Sequence, residues 1–221
     1  MAEAAGWHWL REIAVGQFGL FTAAQAGQQG IAGYELARRA KKGELLRVRH
    51  GVYRCPGTAP ACPFEAWAAQ WLALRPHDDI AARRAEPDGM ISHQSAAVLR
   101  GLGAFDTQVL YLTTLTRIRP KATGVHSSWR AIGTRGADWG LVGGLPVATA
   151  GRIIADLARA RVDDAEQGAV IADAVKFRVI TVDEAAARLQ PFAARWNEQD
   201  GLALAQRFTT AAGRTLTRQP R

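Results

Sequence analysis

The chain has 221 residues, 48% of them apolar and 22% charged, a balance that supports a folded core and excludes global disorder. It holds no apolar run of about 18 residues, no basic-then-apolar leader and only two cysteines, Cys55 and Cys62. These features argue against a membrane protein and against a secreted disulfide scaffold, so a cytoplasmic protein is expected. The net charge of +8 is unevenly spread. Residues 1–57 carry eight Lys/Arg against four Asp/Glu, residues 58–206 carry sixteen of each, and residues 207–221 carry four arginines and no acid. Positive charge gathered at the two ends of a chain attracts polyanions, of which phosphate backbones are the commonest.

Residues 1–17 predict a helix with Trp7, Leu10, Ile13 and Ala14 on one side, ended by Gly16 and Gly19. Thr22-Ala23-Ala24-Gln25 is a capping box that starts a short helix stopping near Gly30. A tight connection through Gly33 leads to a third helix over residues 34–42, closed by Gly43. Two β-prone runs, 45–49 and 52–54, flank His50-Gly51 and predict a hairpin. Helix, helix, turn, helix, hairpin is the order of a winged helix-turn-helix, whose second paired helix enters the major groove.

Residues 56–60 predict a linker, so the expected domains are 1–57 and 58–221. Beyond it, residues 63–74 predict an amphipathic helix with Phe64, Trp67 and Trp71, and 76–89 a loop. A short helix over 92–102 and strands at 109–114 and 125–130 follow, then a hairpin, 139–142 and 145–148, about Gly143-Gly144. Thr149 is expected to cap a helix through residue 160, with further helices at 164–177, after the capping box Thr181-x-x-Glu184, and at 202–212. The fold class is α+β: a winged helix followed by a mixed α/β domain with a basic tail over 207–221.

On a helical wheel, Leu36 and Ala40 share the core face of the third helix, while Tyr34, Arg38, Lys41 and Lys42 lie opposite. The hairpin adds Arg47, Arg49, His50 and Arg54, so seven Lys/Arg fall between residues 38 and 54. These eight side chains are the expected DNA contacts, through arginine to guanine or phosphate and through lysine as plain charge. A charge run is commonly only a solvated face; the element order and the basic wing favour DNA.

The segment Gly43-Glu44-Leu45-x-Arg47-Val48-x-x-Gly51-Val52-Tyr53, with the Thr22-x-x-Gln25 start and Gly30-Ile31, resembles the N-terminal domain of AbiEi-family antitoxins. The resemblance continues loosely through Ser92-His93-Gln94-Ser95-Ala96-Ala97, Leu145-Pro146-Val147-Ala148-Thr149 and Ile154-Ala155-Asp156-Leu157-Ala158, and fades after about Leu189. It implies a bacterial toxin–antitoxin antitoxin that represses its own operon by binding double-stranded DNA at promoter inverted repeats. The implied partner is a neighbouring nucleotidyltransferase-like toxin, counteracted directly or only functionally; a homodimer on DNA is left open. The alternative is an antitoxin that works mainly by gripping its toxin, with DNA binding secondary. Ala32 and Gly33 depart from the family's commoner serine and basic residue, which weakens one helix cap and removes one expected contact.

No catalytic function, cofactor or metal is expected. Ser92-His93-x-Ser95 pairs a nucleophile with a base, but Ser92 reads more simply as a helix cap with His93 in the first turn. Cys55-x6-Cys62 with His50 and His77 lacks zinc-site spacing. Asp163, Asp164 and Glu166 suit a helix start, and lysines occur only at 41, 42, 121 and 176, away from any carboxylate cluster of nuclease type.

Overall fold

Thr22 closes the first strand and opens the second helix of the N-terminal unit. In the computed structural model, which describes residues 2–55, 64–106, 108–119 and 123–216, this unit is Met1–Glu86 and a second is Pro87–Arg221. The first comprises α1 (Ala2–Gly16), β1 (Leu20–Thr22), α2 (Ala23–Gln28), α3 (Gly33–Lys41), β2 (Leu46–Arg49), β3 (Val52–Arg54), α4 (Glu65–Leu72) and α5 (Ile80–Ala85). Its antiparallel sheet has the order β1-β3-β2. The capping box is formed: the Gln25 amide N–H donates to Thr22 Oγ1 at 3.1 Å, and the Thr22 N–H donates to Gln25 Oε1 at 2.9 Å. Gly43 and Gly51 take the positive φ their turns require, both at 75°.

The core of this unit is aromatic. Phe21 of β1 stacks on Tyr53 of β3 with ring centres 5.9 Å apart and meets the edge of Trp7 from α1 at 6.5 Å. Leu10, Ile31, Leu36 and Leu45 fill the remainder. Strand β1 is absent from the sequence expectation, because three residues, all buried, are too few to show an alternation.

The unit also runs past the linker read from the sequence. Residues 56–63 lie outside the described residues, but α4 and α5 belong to the first unit. Trp71, fully buried, meets the edge of Phe18 at 6.4 Å. The Arg83 guanidinium covers the Trp71 ring at 4.0 Å and donates to the Trp71 and Leu72 carbonyls at 2.8 and 3.2 Å, a cation at a helix C-terminus. Thr22 Oγ1 donates to the Pro76 carbonyl. Helix α5 replaces the expected loop; Asp79 caps it by accepting from the Ala82 N–H at 2.9 Å.

The second unit is built on a mixed sheet, order β6-β5-β4-β8-β7, from β4 (Gly89–Ile91), β5 (Leu110–Thr114), β6 (Val125–Trp129), β7 (Trp139–Val142) and β8 (Leu145–Ala148). Pairs β5–β6 and β4–β8 are parallel, and β4–β5 and β7–β8 antiparallel. Around it lie α6 (His93–Leu99), α7 (Ala150–Ala160), α8 (Asp164–Lys176), α9 (Val182–Leu189), a 3-10 segment (Gln190–Trp196) and α10 (Gly201–Ala211). Thr149 caps α7 and the Thr181–Glu184 capping box opens α9, as the sequence predicts. Two glycines permit the helix crossings: a Cβ on Gly168 of α8 would sit 1.9 Å from the Phe208 carbonyl oxygen, and one on Gly201 2.0 Å from that of Ala186. The α+β class holds.

The buried position of Trp71 has a measurable consequence. Trp71→Ala is expected to destabilise the first unit by about 3–5 kcal/mol, the usual cost of truncating a buried large aromatic. Chemical denaturation of the full chain measures it, and unchanged stability would place the indole outside the core.

Candidate nucleic-acid interface

Helix α3 buries Leu36 completely and tucks Ala40 partly against the aromatic core. Its remaining face is therefore fixed outward. Tyr34 is 78% exposed, and Arg38, Lys41 and Lys42 are exposed along the same side. Ala32 stands at the N-cap without a side-chain bond, as its methyl dictates. Arg39, outside the face that the sequence predicts for DNA, locks the helix in place. Its guanidinium lies 4.3 Å over Trp7 and pairs with Glu35 at 3.1 Å and Glu44 at 3.3 Å. The signal was available in the i, i+4 spacing of Glu35 and Arg39.

The wing is the β2–β3 hairpin, with a register irregularity between Arg47 and Arg49. Arg47 is exposed, and its Nη2 donates to His50 Nδ1 at 2.7 Å across the turn. Guanidinium nitrogens only donate, so Nδ1 is the acceptor and the neutral imidazole proton sits on Nε2, where it is a free donor for an anion. The other two expected contacts turn inward. Arg49 donates to the Gln70 carbonyl at 3.5 Å, and burial pushes its pKa down. Arg54 pairs with Glu65 at 2.8 Å and keeps only 15% of its side chain exposed. The register shift between Arg47 and Arg49 sets these two on opposite faces, Arg49 sharing with Arg54 the face toward α4, and sequence alone did not show that α4 belonged to this unit.

The basic tail changes character in the same way. Arg207 lies within α10 and pairs with Asp164 at 2.9 Å and Glu198 at 3.5 Å, which raises its pKa. Arg214 faces Asp173 at 3.9 Å. Arg218 and Arg221 lie outside the described residues.

In the second unit Ser92 occupies the N-cap of α6 but makes no capping bond. Its hydroxyl instead lies 2.9 Å from His93 Nδ1 and accepts from Thr113 Oγ1 at 3.0 Å. Ser95 turns away, donating to the Val109 carbonyl and accepting from the Tyr111 N–H, both at 2.9 Å. Ser92 and His93 are buried, and His93 adopts φ of 51°. This is a closed structural knot tying α6 to β5. Among the described residues no group of three metal-ligating side chains occurs, and Cys62 is outside them.

Residues 10–56 match the family model described as a transcriptional regulator, AbiEi antitoxin. This stretch of the first unit is therefore similar to a transcriptional regulator of the AbiEi antitoxin family. The matched residues take in α3 and the β2–β3 hairpin. No curated protein matches the chain. Among solved structures the chain is similar to the RV2827C protein from Mycobacterium tuberculosis, at 14% identity and a TM-score of 0.52, over 100% of this chain and 84% of that one. At that identity the likeness is one of fold. No helix among the described residues is long and apolar enough to cross a membrane.

Burial holds His93 below its ordinary pKa of 6.5; Asp156 opposes this, and Arg152, Arg130 and Arg159 reinforce it. The unfolded chain then takes up a proton before the folded one does. The stability from keeping His93 neutral is therefore complete above pH 6.5 and is lost as the pH falls below it. Thermal melts of the full chain are expected to weaken from pH 7 toward pH 5, and His93→Asn, which tolerates positive φ, to flatten that slope. An unaltered slope in the variant would assign the acid sensitivity elsewhere.

Proposed function

We propose that α3 lies in the major groove of the chain's own promoter, with the wing against the flanking phosphates, and that the protein represses its operon there at inverted repeats. The observation that carries this reading is the outward face of Tyr34, Arg38, Lys41 and Lys42, held by the burial of Leu36 on the opposite side. Helix length supports it: nine residues span about 13 Å at 1.5 Å each, enough to lie across a groove about 12 Å wide. Tyr34 and Arg38 are one turn apart and suit base edges, while Lys41, Lys42, Arg47 and the His50 Nε2–H suit phosphates. Arg49 and Arg54 are withdrawn to a supporting role, steadying the wing on α4. Toxin neutralisation completes the proposal, with a neighbouring nucleotidyltransferase-like protein as the toxin.

The test is a titration of the full chain against its own upstream DNA and a scrambled duplex at several salt concentrations. A preference of about 10³-fold or more for the upstream sequence is expected, the range of specific regulators. Arg38→Ala with Lys42→Ala is expected to weaken binding at least tenfold and to shallow the log–log salt slope by about one per lost phosphate contact. Arg54→Ala is expected to lower the melting temperature by leaving Glu65 without its cation. Equal weak binding to both duplexes, or indifference to the α3 substitutions, would overturn the docking.

A further inference from the structure

The second unit contains a cleft of about 640 Å³ between the end of β6, α7, and the junction of α9 with the 3-10 segment. Four arginines line it, Arg130, Arg152, Arg159 and Arg188, against two aspartates, Asp138 and Asp156. The volume falls within the range of about 300–1,000 Å³ typical of small-molecule sites.

The two aspartates are already engaged. Arg152 Nε reaches both oxygens of Asp156 at 3.1 and 3.0 Å, while its Nη atoms donate to the Ile132 and Ala131 carbonyls at 3.2 and 3.0 Å. Arg152 thus braces the segment that carries Arg130. Arg188 pairs with Asp138 at 3.2 Å and donates to the Ala137 carbonyl at 2.9 Å. Arg130 and Arg159 are both exposed, and neither forms an ion pair among the described residues. Arg159 is nonetheless held, its guanidinium 5.0 Å over the Phe192 ring. Desolvation lowers its pKa, repulsion from Arg130 adds to this, and Asp156 opposes it. The cleft therefore carries uncompensated positive charge, with the Arg159 fork held in place, and an anion relieves it.

Trp129 forms part of the lining. Its Nε1 donates to the Leu115 carbonyl at 2.8 Å, fixing the edge of the indole, yet the side chain is 66% exposed. A large aromatic pinned by its edge and left open to solvent beside arginines is a platform for a flat ligand. We propose that this cleft binds a nucleoside phosphate, with Arg130 and Arg159 on the phosphates and Trp129 against the base. The ligand is either a free nucleotide or the phosphorylated end of a strand, which present the same chemistry.

The test is calorimetric titration of the full chain carrying Arg38→Ala and Lys42→Ala, which removes two exposed cations from the first unit's basic face. The probes are ATP, tripolyphosphate, adenosine and 5′-phosphorylated tetra-adenylate. ATP is expected to bind more tightly than tripolyphosphate or adenosine. Arg130→Ala with Arg159→Ala is expected to weaken ATP at least tenfold at an unchanged melting temperature. Trp129→Ala is expected to reduce ATP to the affinity of tripolyphosphate. Arg130→Gln, at an exposed position outside regular structure, is expected to weaken ATP and provides a second variant should the double one melt early. Tetra-adenylate binding tighter than ATP assigns the strand end as the source, and the reverse assigns the free nucleotide. No ATP binding at millimolar concentration, binding indifferent to the arginine variants, or equal affinity for ATP and tripolyphosphate would overturn the proposal.

Discussion

The first unit depends on Phe21. Its ring touches α1 through Trp7 and the third strand through Tyr53, so a single side chain on a three-residue strand joins the helical layer to the sheet. Trp7 in turn is the floor on which the Arg39 guanidinium rests, and Arg39 is anchored by Glu35 from its own helix. Leu36 enters the same core from the inner side of α3. The rotation of α3 about its axis is thereby fixed twice, by an apolar contact and by a cation over a ring. With Leu36 held inward, the helical repeat turns Arg38, Lys41 and Lys42 away from the core.

Arginine serves two purposes in this chain, and burial separates them. Arg39, Arg54 and Arg83 spend their donors on carboxylates or carbonyls and their planes or stems on packing. Arg38 and Arg47 keep theirs at the surface. Lys41 and Lys42, with flexible stems and strongly hydrated heads, stay outside throughout. The net charge of +8 describes the field felt at a distance, and the pairing pattern decides which of those charges remain to meet a phosphate.

Much of this was legible in the sequence where the signal is local. Capping boxes at Thr22 and Thr181, the Gly43 stop and the Gly51 wing turn follow from side-chain reach and backbone freedom within four residues. Strands β1 and β4, at three residues each, are too short to carry a period, and their existence depends on partners far along the chain. Ser92 misled for a related reason: it stands at a cap position, but Thr113, brought alongside by β5, and His93 offer its hydroxyl other partners. The inward turn of Arg49 and Arg54 depends on α4, across a Pro/Gly segment that reads as a domain boundary. The arginine cleft was the least legible feature, because its members are spread from residue 130 to residue 188 and only the fold gathers them.

The chain's two cation-bearing surfaces differ in kind, and the difference follows from how each cation is held. On α3 and the wing, Arg38, Lys41 and Lys42 project from a convex element into solvent. Side chains so placed meet a long array of phosphates one by one, with much of the gain from released counterions and hence steeply dependent on salt. In the cleft, Arg152 and Arg188 are tied to carboxylates and backbone carbonyls, and Arg159 lies over an aromatic face. Groups fixed in advance lose little freedom on binding, and a concave wall shields them from counterions. An exposed set on a convex element suits a continuous polyanion; a concave, braced set suits a single compact one.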